Sequence, residues 1–223
     1  MNIHSFSFNA FEERCHLICD ASGKAAIVDP GFITNEEKQE LYGYISSNGL
    51  SPVCVLLTHA HFDHIYGLGQ LTEDFDIPVY MDGKDREMFV NNEKICPLFG
   101  MPVPAPVCAK HVVSVSEGDK INVGSLVFEV LSTPGHTPGG VCFLERKEKV
   151  LFSGDTLFAG SIGRTDSPWG DYDALMKGIF EQLMVLDGDT RVFPGHGPDT
   201  SIADERMKNP FLLPFNEPLP DDF

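Results

Sequence analysis

The sequence has few basic residues and no long apolar segment. Sixteen Lys and Arg side chains stand against 33 Asp and Glu, which gives the 223-residue chain a formal net charge of −17. Because a field of this sign repels polyphosphate, neither nucleic acid nor an anionic membrane surface is an expected partner. The sequence contains no basic start followed by an apolar core and no apolar run of about 18 residues, so it predicts neither a signal peptide nor a spanning helix.

Cysteine is sparse and shows no pattern. The six cysteines, at positions 15, 19, 54, 96, 108 and 142, form no C-x-x-C pair and no framework spacing. A secreted disulfide scaffold is shorter and denser in cysteine, so we expect free thiols and a cytoplasmic location. Internal repeats and a linker of distinctive composition are also lacking. The length and the 42% hydrophobic content therefore predict one domain over residues 1–223.

Short strands alternate with helices along the chain. Apolar runs predict strands over 2–8, 13–20, 24–29, 52–58, 78–81, 126–132, 140–144, 149–153 and 190–194. Helices are predicted between Thr34 and Gly49 and near 66–74, 83–91, 172–184 and 201–208, the last leading into a proline-rich tail. The run PVCVLLT (52–58) is typical of a strand buried on both faces. Strand groups in both halves, each with helices, predict two packed sheets.

Residues 92–110 differ from the segments around them. They are apolar and rich in proline, without a usable helical or strand period. Such a segment is too apolar for an idle surface loop, so we expect a flap over a site.

The stretch LLTHAHFDHIYG (56–67) places three histidines and an aspartate within six consecutive residues, directly after the predicted buried strand. A lone histidine is usually a surface residue or a hydrogen-bonded core residue, and we expect no more of His4, His16 and His111. Four such groups in six residues need a tight loop, and a divalent cation is what can stabilise them together.

Three further strands end in a potential ligand flanked by residues that permit tight turns. These are His136 in STPGHTPGG (132–140), Asp155 in FSGDTLF (152–158) and His196 in VFPGHGP (192–198). Seven donors are too many for one tetrahedral zinc and suit two cations that share a carboxylate. The donors are His59, His61, Asp63, His64, His136, Asp155 and His196.

The segment THAHFDH (58–64) resembles the HxHxDH signature of the metallo-β-lactamase superfamily. Asp29 in VDPG, His136, Asp155 and His196 resemble the four other motifs of that superfamily, in the right order. The resemblance covers about residues 3 to 210. It implies an α/β fold of four layers, the αβ/βα sandwich, in which two mixed sheets are flanked by helices.

The resemblance also implies how the donors are shared. One metal would be held by His59, His61 and His136, and the second by Asp63, His64 and His196. Asp155 would bridge the two metals, and Asp29 would lie behind the ligands and orient the histidine loop. Two divalent cations are expected, zinc by default, although nitrogen and oxygen donors also suit iron or manganese.

The implied activity is hydrolysis by a metal-bridging hydroxide, with Asp63 and Asp155 as catalytic groups. FAGSIGRTDSPWGD (158–171) and ERMKNP (205–210) resemble the glyoxalase II group, the hydroxyacylglutathione hydrolases. We therefore expect a small-molecule thioester as substrate. The short sequence after His196 resembles bacterial glyoxalase II-like proteins that have no separate C-terminal glutathione-binding helical domain. The acyl group, the thiol carrier, the metal loaded and the oligomeric state stay open.

Two alternatives remain. The GRTD segment is shared with persulfide dioxygenases, which would use a mononuclear iron held by His59, His136 and Asp155. A non-catalytic metal-binding scaffold is the weaker alternative, because degenerate scaffolds usually lose ligands and none is lost here. In the same segment, Arg164 and Asp166 are either substrate contacts or a local ion pair that shapes the loop, and we favour the ion pair.

Overall fold

The computed structural model of the chain describes residues 1–213, and the rest of the predicted proline-rich tail lies outside these described residues. The first half forms a six-stranded sheet whose spatial order follows the sequence. Its strands are β1 (Asn2–Phe8), β2 (Glu13–Cys19), β3 (Lys24–Val28), β4 (Ser51–Leu56), β5 (Val79–Asp82) and β6 (Val112–Val115). The first three strands pair antiparallel and the last four pair parallel, so the sheet is mixed.

The second half forms another mixed sheet. The strands of this half are β7 (Lys120–Val123), β8 (Leu126–Ser132), β9 (Val141–Glu145), β10 (Val150–Gly154), β11 (Leu157–Phe158), β12 (Ser161–Ile162), β13 (Arg191–Pro194) and β14 (Thr200–Ser201). Strands β11 and β12 form a small hairpin, and the other six form a sheet in the order β14-β13-β10-β9-β8-β7. The β10–β13 pair is parallel, and the remaining pairs are antiparallel.

Helices cover the outer faces of both sheets. They are α1 (Asn35–Ser47), α2 (Phe62–Ile65), α3 (Leu68–Phe75), α4 (Arg86–Ile95), α5 (Tyr172–Gly178) and α6 (Ile202–Lys208). Leu41 of α1 and Leu68 of α3 join a core with the first sheet, whereas Leu175 of α5 and Ile202 of α6 join a core with the second. Two mixed sheets flanked by helices confirm the predicted sandwich.

The inner strands are apolar at consecutive positions because both of their faces are covered. On β4, Val55 packs in the core on the helix side, whereas its neighbour Leu56 packs between the two sheets. Ile27 and Val28 divide in the same way on β3. Successive side chains of a strand point to opposite faces, so a strand in the middle of such a sandwich carries no polar alternation.

Several boundaries differ from those predicted. The helix expected over 66–74 is α3, and a second short helix that was not predicted, α2, precedes it inside the histidine stretch. The sequence pattern did not reveal α2 because the helix has only four residues, two of which are predicted donors, and so shows no apolar period. The helix expected over 172–184 continues beyond Gly178 as a π-helical turn, Ile179–Leu183. Thr34 does form a capping box with Glu37, as predicted for α1.

His16 is a core histidine whose burial should make folding sensitive to acid. Its ring is buried on β2, with the nitrogens facing the Ser5 hydroxyl and the carbonyl oxygen of Pro194. Burial, as the largest cause, lowers its pKa from 6.5 to about 4. The unfolded chain therefore binds the proton more readily, and the stability that neutral His16 contributes is lost as pH falls from 6.5 towards 4.

We expect His16→Gln to flatten the acid dependence of stability. Between pH 7 and pH 4.5, wild type should lose about 2–3 kcal/mol more of its free energy of unfolding than the variant does. Urea denaturation of both proteins at the two pH values measures this difference. His4→Gln is the control, because His4 stacks on Tyr44 at the edge of the sheet. Equal losses in wild type and His16→Gln would contradict the prediction.

Candidate metal centre

The seven predicted donors lie in four segments that follow strand ends, and two of them, Asp63 and His64, lie in α2. The histidine stretch follows β4, His136 follows β8, Asp155 follows β10 and His196 follows β13. The carboxyl ends of neighbouring parallel strands meet at one edge of a sheet, which is where open α/β sheets bind ligands. The structure places these segments together at the same end of the two sheets, with the carboxylate of Asp155 between them.

The donors form two groups that meet at Asp155. Ligand atoms of each group lie within 4.8 Å of one another; the groups are His59, His61 and His136, and Asp63, His64 and His196. Asp155 Oδ2 lies 3.4 Å from His136 Nε2 and 3.7 Å from His196 Nε2, and Oδ1 lies 3.5 Å from His64 Nε2. One carboxylate therefore contacts histidines of both groups.

The hydrogen bonds of the rings indicate which nitrogen is available to a cation. His136 Nδ1 donates to the carbonyl oxygen of Arg164 at 2.8 Å, and His196 Nδ1 donates to that of Phe11 at 3.0 Å. A carbonyl can only accept, so each Nδ1 carries a proton, and Nε2 of the neutral ring has a free lone pair. His136 Nε2 lies 3.4 Å from Asp155 Oδ2, and His196 Nε2 lies 3.4 Å from Asp63 Oδ2.

The inner atoms are buried acceptors without protein donors. His59 Nε2, His64 Nε2, His136 Nε2 and Asp155 Oδ1 have no hydrogen-bond partner among the described residues. Burial, as the largest cause, lowers the pKa of His59 and lowers that of His61 to about 3. These two rings are therefore neutral at pH 7. Several unsatisfied acceptors at one buried point are costly unless a cation satisfies them. The donor set thus fits two divalent cations.

Asp29 orients the ligands from behind. Its carboxylate accepts hydrogen bonds from the Thr58 backbone N–H at 2.8 Å, from the Thr58 hydroxyl at 2.6 Å and from His64 Nδ1 at 3.1 Å. Because the Thr58 hydroxyl donates to Asp29, its oxygen can accept from His59 Nδ1, which lies 3.0 Å away. Asp29 therefore sets the tautomers of two rings, one directly and one through Thr58.

We expect Asp29→Asn to weaken metal binding by about 10- to 100-fold. An asparagine amide that faces His64 Nδ1 would donate to it, which would move the ring proton to Nε2, the nitrogen a cation needs. Competition with a chromophoric chelator measures the affinity. Asp20→Asn is the matched control. Asp20 is also a buried carboxylate, but it follows the last residue of β2 and accepts hydrogen bonds from Ser22 and Ser125 rather than from any donor of the centre. An unchanged affinity in Asp29→Asn would refute this role.

Two glycines allow the donors to approach one another. A Cβ at Gly195 would collide with Asp155 Oδ1 and would lie 2.7 Å from His64 Cε1. Gly154 has a φ of +47°, and a Cβ there would collide with the Thr58 side chain. A side chain at Gly195 would push the carboxylate of Asp155 away from His64, and one at Gly154 would displace Thr58.

Sequence reasoning missed three residues that support the centre. Asp85 accepts from the Ala60 N–H at 3.0 Å, the Thr137 hydroxyl at 2.8 Å and the Gly139 N–H at 2.6 Å, so it ties the histidine loop to the His136 turn. Asn9 donates to the carbonyl oxygen of Asp63. The side-chain oxygens of Glu13 are buried without a hydrogen-bond partner among residues 1–213, and burial is the main cause that raises the pKa of Glu13. Nothing in the sequence around these residues indicated a link to the donors.

Arg164 and Asp166 form an ion pair with each other. Arg164 Nε lies 2.7 Å from Asp166 Oδ1, Nη2 lies 3.2 Å from Oδ2, and both side chains are exposed. The backbone carbonyl of Arg164, rather than its guanidinium, contacts the centre through His136. The pair agrees with the local ion pair that we favoured from the sequence, and its role in shaping the loop stays a prediction.

The geometry agrees with comparisons to known proteins. The family model for the metallo-beta-lactamase superfamily matches residues 10–196. The chain belongs to the metallo-beta-lactamase superfamily. It is therefore a member of a superfamily of metallo-hydrolases, and the resemblance seen in the sequence is confirmed.

Three relatives within the superfamily are similar over nearly their whole length. The chain is 38% identical over 213 residues to the hydroxyacylglutathione hydrolase GloC of Haemophilus influenzae, which covers 95% of this chain and 98% of GloC. The crystal structure of the BLEG-1 B3 metallo-beta-lactamase has a TM-score of 0.86 and 35% identity, with 95% and 99% of the two chains covered. That of TTHA1623 in a di-iron-bound form has a TM-score of 0.83 and 36% identity, with 94% and 100% covered.

The superfamily relatives and the donor clusters both point to a metal site of two ions in this fold. Among residues 1–213, no helix combines the length and the apolar composition needed to cross a lipid bilayer.

Proposed function

We propose that the chain is a binuclear metal-dependent hydrolase that cleaves small-molecule thioesters. The observation that carries the proposal is the position of Asp155, whose carboxylate lies within 4.0 Å of histidine nitrogens from both donor groups. A shared carboxylate with three donors on either side is the arrangement that two-cation hydrolytic sites use. The similarity to GloC supports a thioester as the substrate.

Each donor group would hold one cation. His59, His61 and His136 would bind the first, Asp63, His64 and His196 would bind the second, and Asp155 would contact both. Zinc is the expected metal, and iron or manganese would also suit nitrogen and oxygen donors. When bound, two such cations supply a water whose pKa is lowered to about 7 and positive charge that stabilises a developing oxyanion.

Asp63 is the side chain that would accept the proton of that water. Burial raises the pKa of Asp63, but the nearby His64, His196 and His61 outweigh burial and hold it below its usual range. Its carboxylate is therefore ionised at pH 7 and can accept a proton at Oδ2, which lies 3.4 Å from His196 Nε2. In the overall reaction the water oxygen forms a C–O bond to the acyl carbon, the C–S bond breaks, and the departing thiolate takes up a proton.

The test measures metal content and substrate range on the same preparation. We expect about two metal equivalents per chain by plasma mass spectrometry, together with turnover of S-lactoylglutathione or another thioester. A β-lactam belongs in the panel, because BLEG-1 is described as a metallo-beta-lactamase. Two metals with β-lactam turnover and no thioester turnover would overturn the proposed substrate class. One iron per chain with no hydrolysis would favour the dioxygenase alternative.

A further inference from the structure

Three phenylalanine rings form a cluster beside the metal centre, which we call the aromatic platform. The ring centroid of Phe62 lies 5.3 Å from that of Phe11 and 5.7 Å from that of Phe99, and the rings of Phe11 and Phe99 are 6.5 Å apart. These separations are typical of packed aromatic rings. Residues from three separate parts of the chain therefore meet in one apolar surface.

The platform is attached to the second donor group. Phe62 is the residue between His61 and Asp63, and it lies in the first turn of α2. Phe11 accepts the hydrogen bond from His196 Nδ1 through its backbone carbonyl. A group that rests on these rings would therefore lie next to the side of the centre formed by Asp63, His64 and His196.

Much of the platform is exposed. Phe62 is 8% exposed, but Phe11 is 37% and Phe99 is 56% exposed, and Leu98 beside Phe99 is 83% exposed. The segment 96–108 that carries Phe99 contains no charged residue. It is anchored by Cys96, which is buried against Phe62 and Tyr66. Contiguous apolar surface next to a reactive centre usually marks a binding site for an apolar group.

The same region offers no unpaired cation. The segments around the donors, 9–14, 57–67, 96–108, 133–140, 155–171 and 194–199, contain two basic side chains, Arg14 and Arg164. Arg14 is paired with Asp199 and also donates to the carbonyl of Gly197, and Arg164 is paired with Asp166. A thiol carrier with two carboxylates would therefore meet no unpaired Lys or Arg in these segments, in a protein whose formal charge is −17.

We propose that the aromatic platform binds an uncharged apolar group next to the scissile thioester, and that the site disfavours carriers that bear carboxylates. This rests on the proposed thioester hydrolysis and narrows its substrate class. The apolar group can belong to the acyl part or to the thiol part, because both flank the C–S bond. In either case ring stacking on Phe11 and Phe99 would stabilise the bound substrate.

The test uses five thioesters and the metal-loaded protein. Acetyl and phenylacetyl thioesters of N-acetylcysteamine, the same two acyl groups on glutathione, and acetyl benzyl thioester separate the acyl part, the carrier charge and the thiol part. We expect kcat/KM to be at least about 10-fold higher for either phenylacetyl-N-acetylcysteamine or acetyl benzyl thioester than for acetyl-N-acetylcysteamine. For each acyl group, N-acetylcysteamine should be preferred to glutathione. A preference for the phenylacetyl group places the platform on the acyl side of the C–S bond, and a preference for the benzyl group places it on the thiol side.

Variants assign the preference to the platform. Phe99→Ala and Phe11→Ala should each lower the aromatic-to-acetyl ratio of kcat/KM by about 10-fold, chiefly through KM, and Phe99→Leu should lower it less. Met207→Ala is the control, because Met207 is an apolar residue that is 71% exposed on α6. Calorimetric binding of benzyl propyl thioether, which cannot be hydrolysed, should weaken in the same two alanine variants, and circular dichroism checks their folding.

The outcomes distinguish failure of the platform inference from failure of the proposed thioester hydrolysis. If wild type cleaves none of the thioesters, the proposed function fails. If it cleaves them with no aromatic preference, or prefers the glutathione esters, only the platform inference fails. The inference also fails if the alanine variants fold but keep the wild-type ratio and the wild-type affinity for the thioether.

Discussion

His61→Ala is expected to lower kcat for thioester hydrolysis by more than about 100-fold and to reduce bound metal from two equivalents to about one. Loss of a residue behind a ligand typically costs up to about 100-fold, so loss of a ligand should cost more. The ring of His61 lies 4.6 Å from that of His136 and 4.9 Å from that of His59, centroid to centroid. Without it, the first donor group keeps two of its three histidines.

The measurement is metal content by mass spectrometry alongside steady-state hydrolysis of the best thioester. His4→Ala is the control, because His4 packs on Tyr44 and Phe6 rather than near the donors. The dioxygenase alternative makes the opposite prediction, since His59, His136 and Asp155 would remain. A variant that retains full hydrolysis would contradict the two-metal proposal. One that keeps iron and consumes oxygen with a thiol persulfide would support the dioxygenase.

Chelation is expected to lower the thermal midpoint by roughly 10 °C. A ligand present at about 1,000 times its dissociation constant stabilises the folded state by about 4 kcal/mol. For a chain of this size, each kcal/mol corresponds to a shift of about 2–4 °C. The physical reason is that the carboxylates of Asp63 and Asp155 lie within 4 Å of histidine nitrogens. When the cations leave, these neighbouring carboxylates and ring nitrogens lose the positive charge that stabilises them together.

Scanning calorimetry with and without a chelator measures the shift, and added zinc should restore the original midpoint. Asp155→Asn provides the internal check, because an amide bridges two cations poorly. Its midpoint should respond to the chelator by a few degrees at most. A wild-type midpoint that ignores the chelator would show that the donors hold no stabilising cation.

The four segments that carry the donors could be found from sequence because each follows a recognisable strand. Strands buried on both faces produce apolar runs, and residues such as His59 or Asp155 at the end of those runs have no packing explanation. Asp85 illustrates what the sequence does not reveal. It lies in a turn after β5, and its importance arises because tertiary packing places it against Ala60 and the Thr137 hydroxyl.

Local pattern also failed where an element was too short to show a period. Strand β6, which covers only Val112–Val115, and helix α2 were not anticipated. The segment 92–110 was expected to be a flap because of its composition. In the structure its first residues complete α4, and Phe99 lies over Phe62, next to the donors.

The order in which the donors occur along the chain has a consequence for folding. His59, His61, Asp63 and His64 come from the first sheet, whereas His136, Asp155 and His196 come from the second. Each donor group takes one histidine from the second sheet, so neither half of the chain can complete a coordination shell alone. High-affinity metal uptake therefore requires that both sheets have docked, and the rate of uptake during refolding would report the docking step itself.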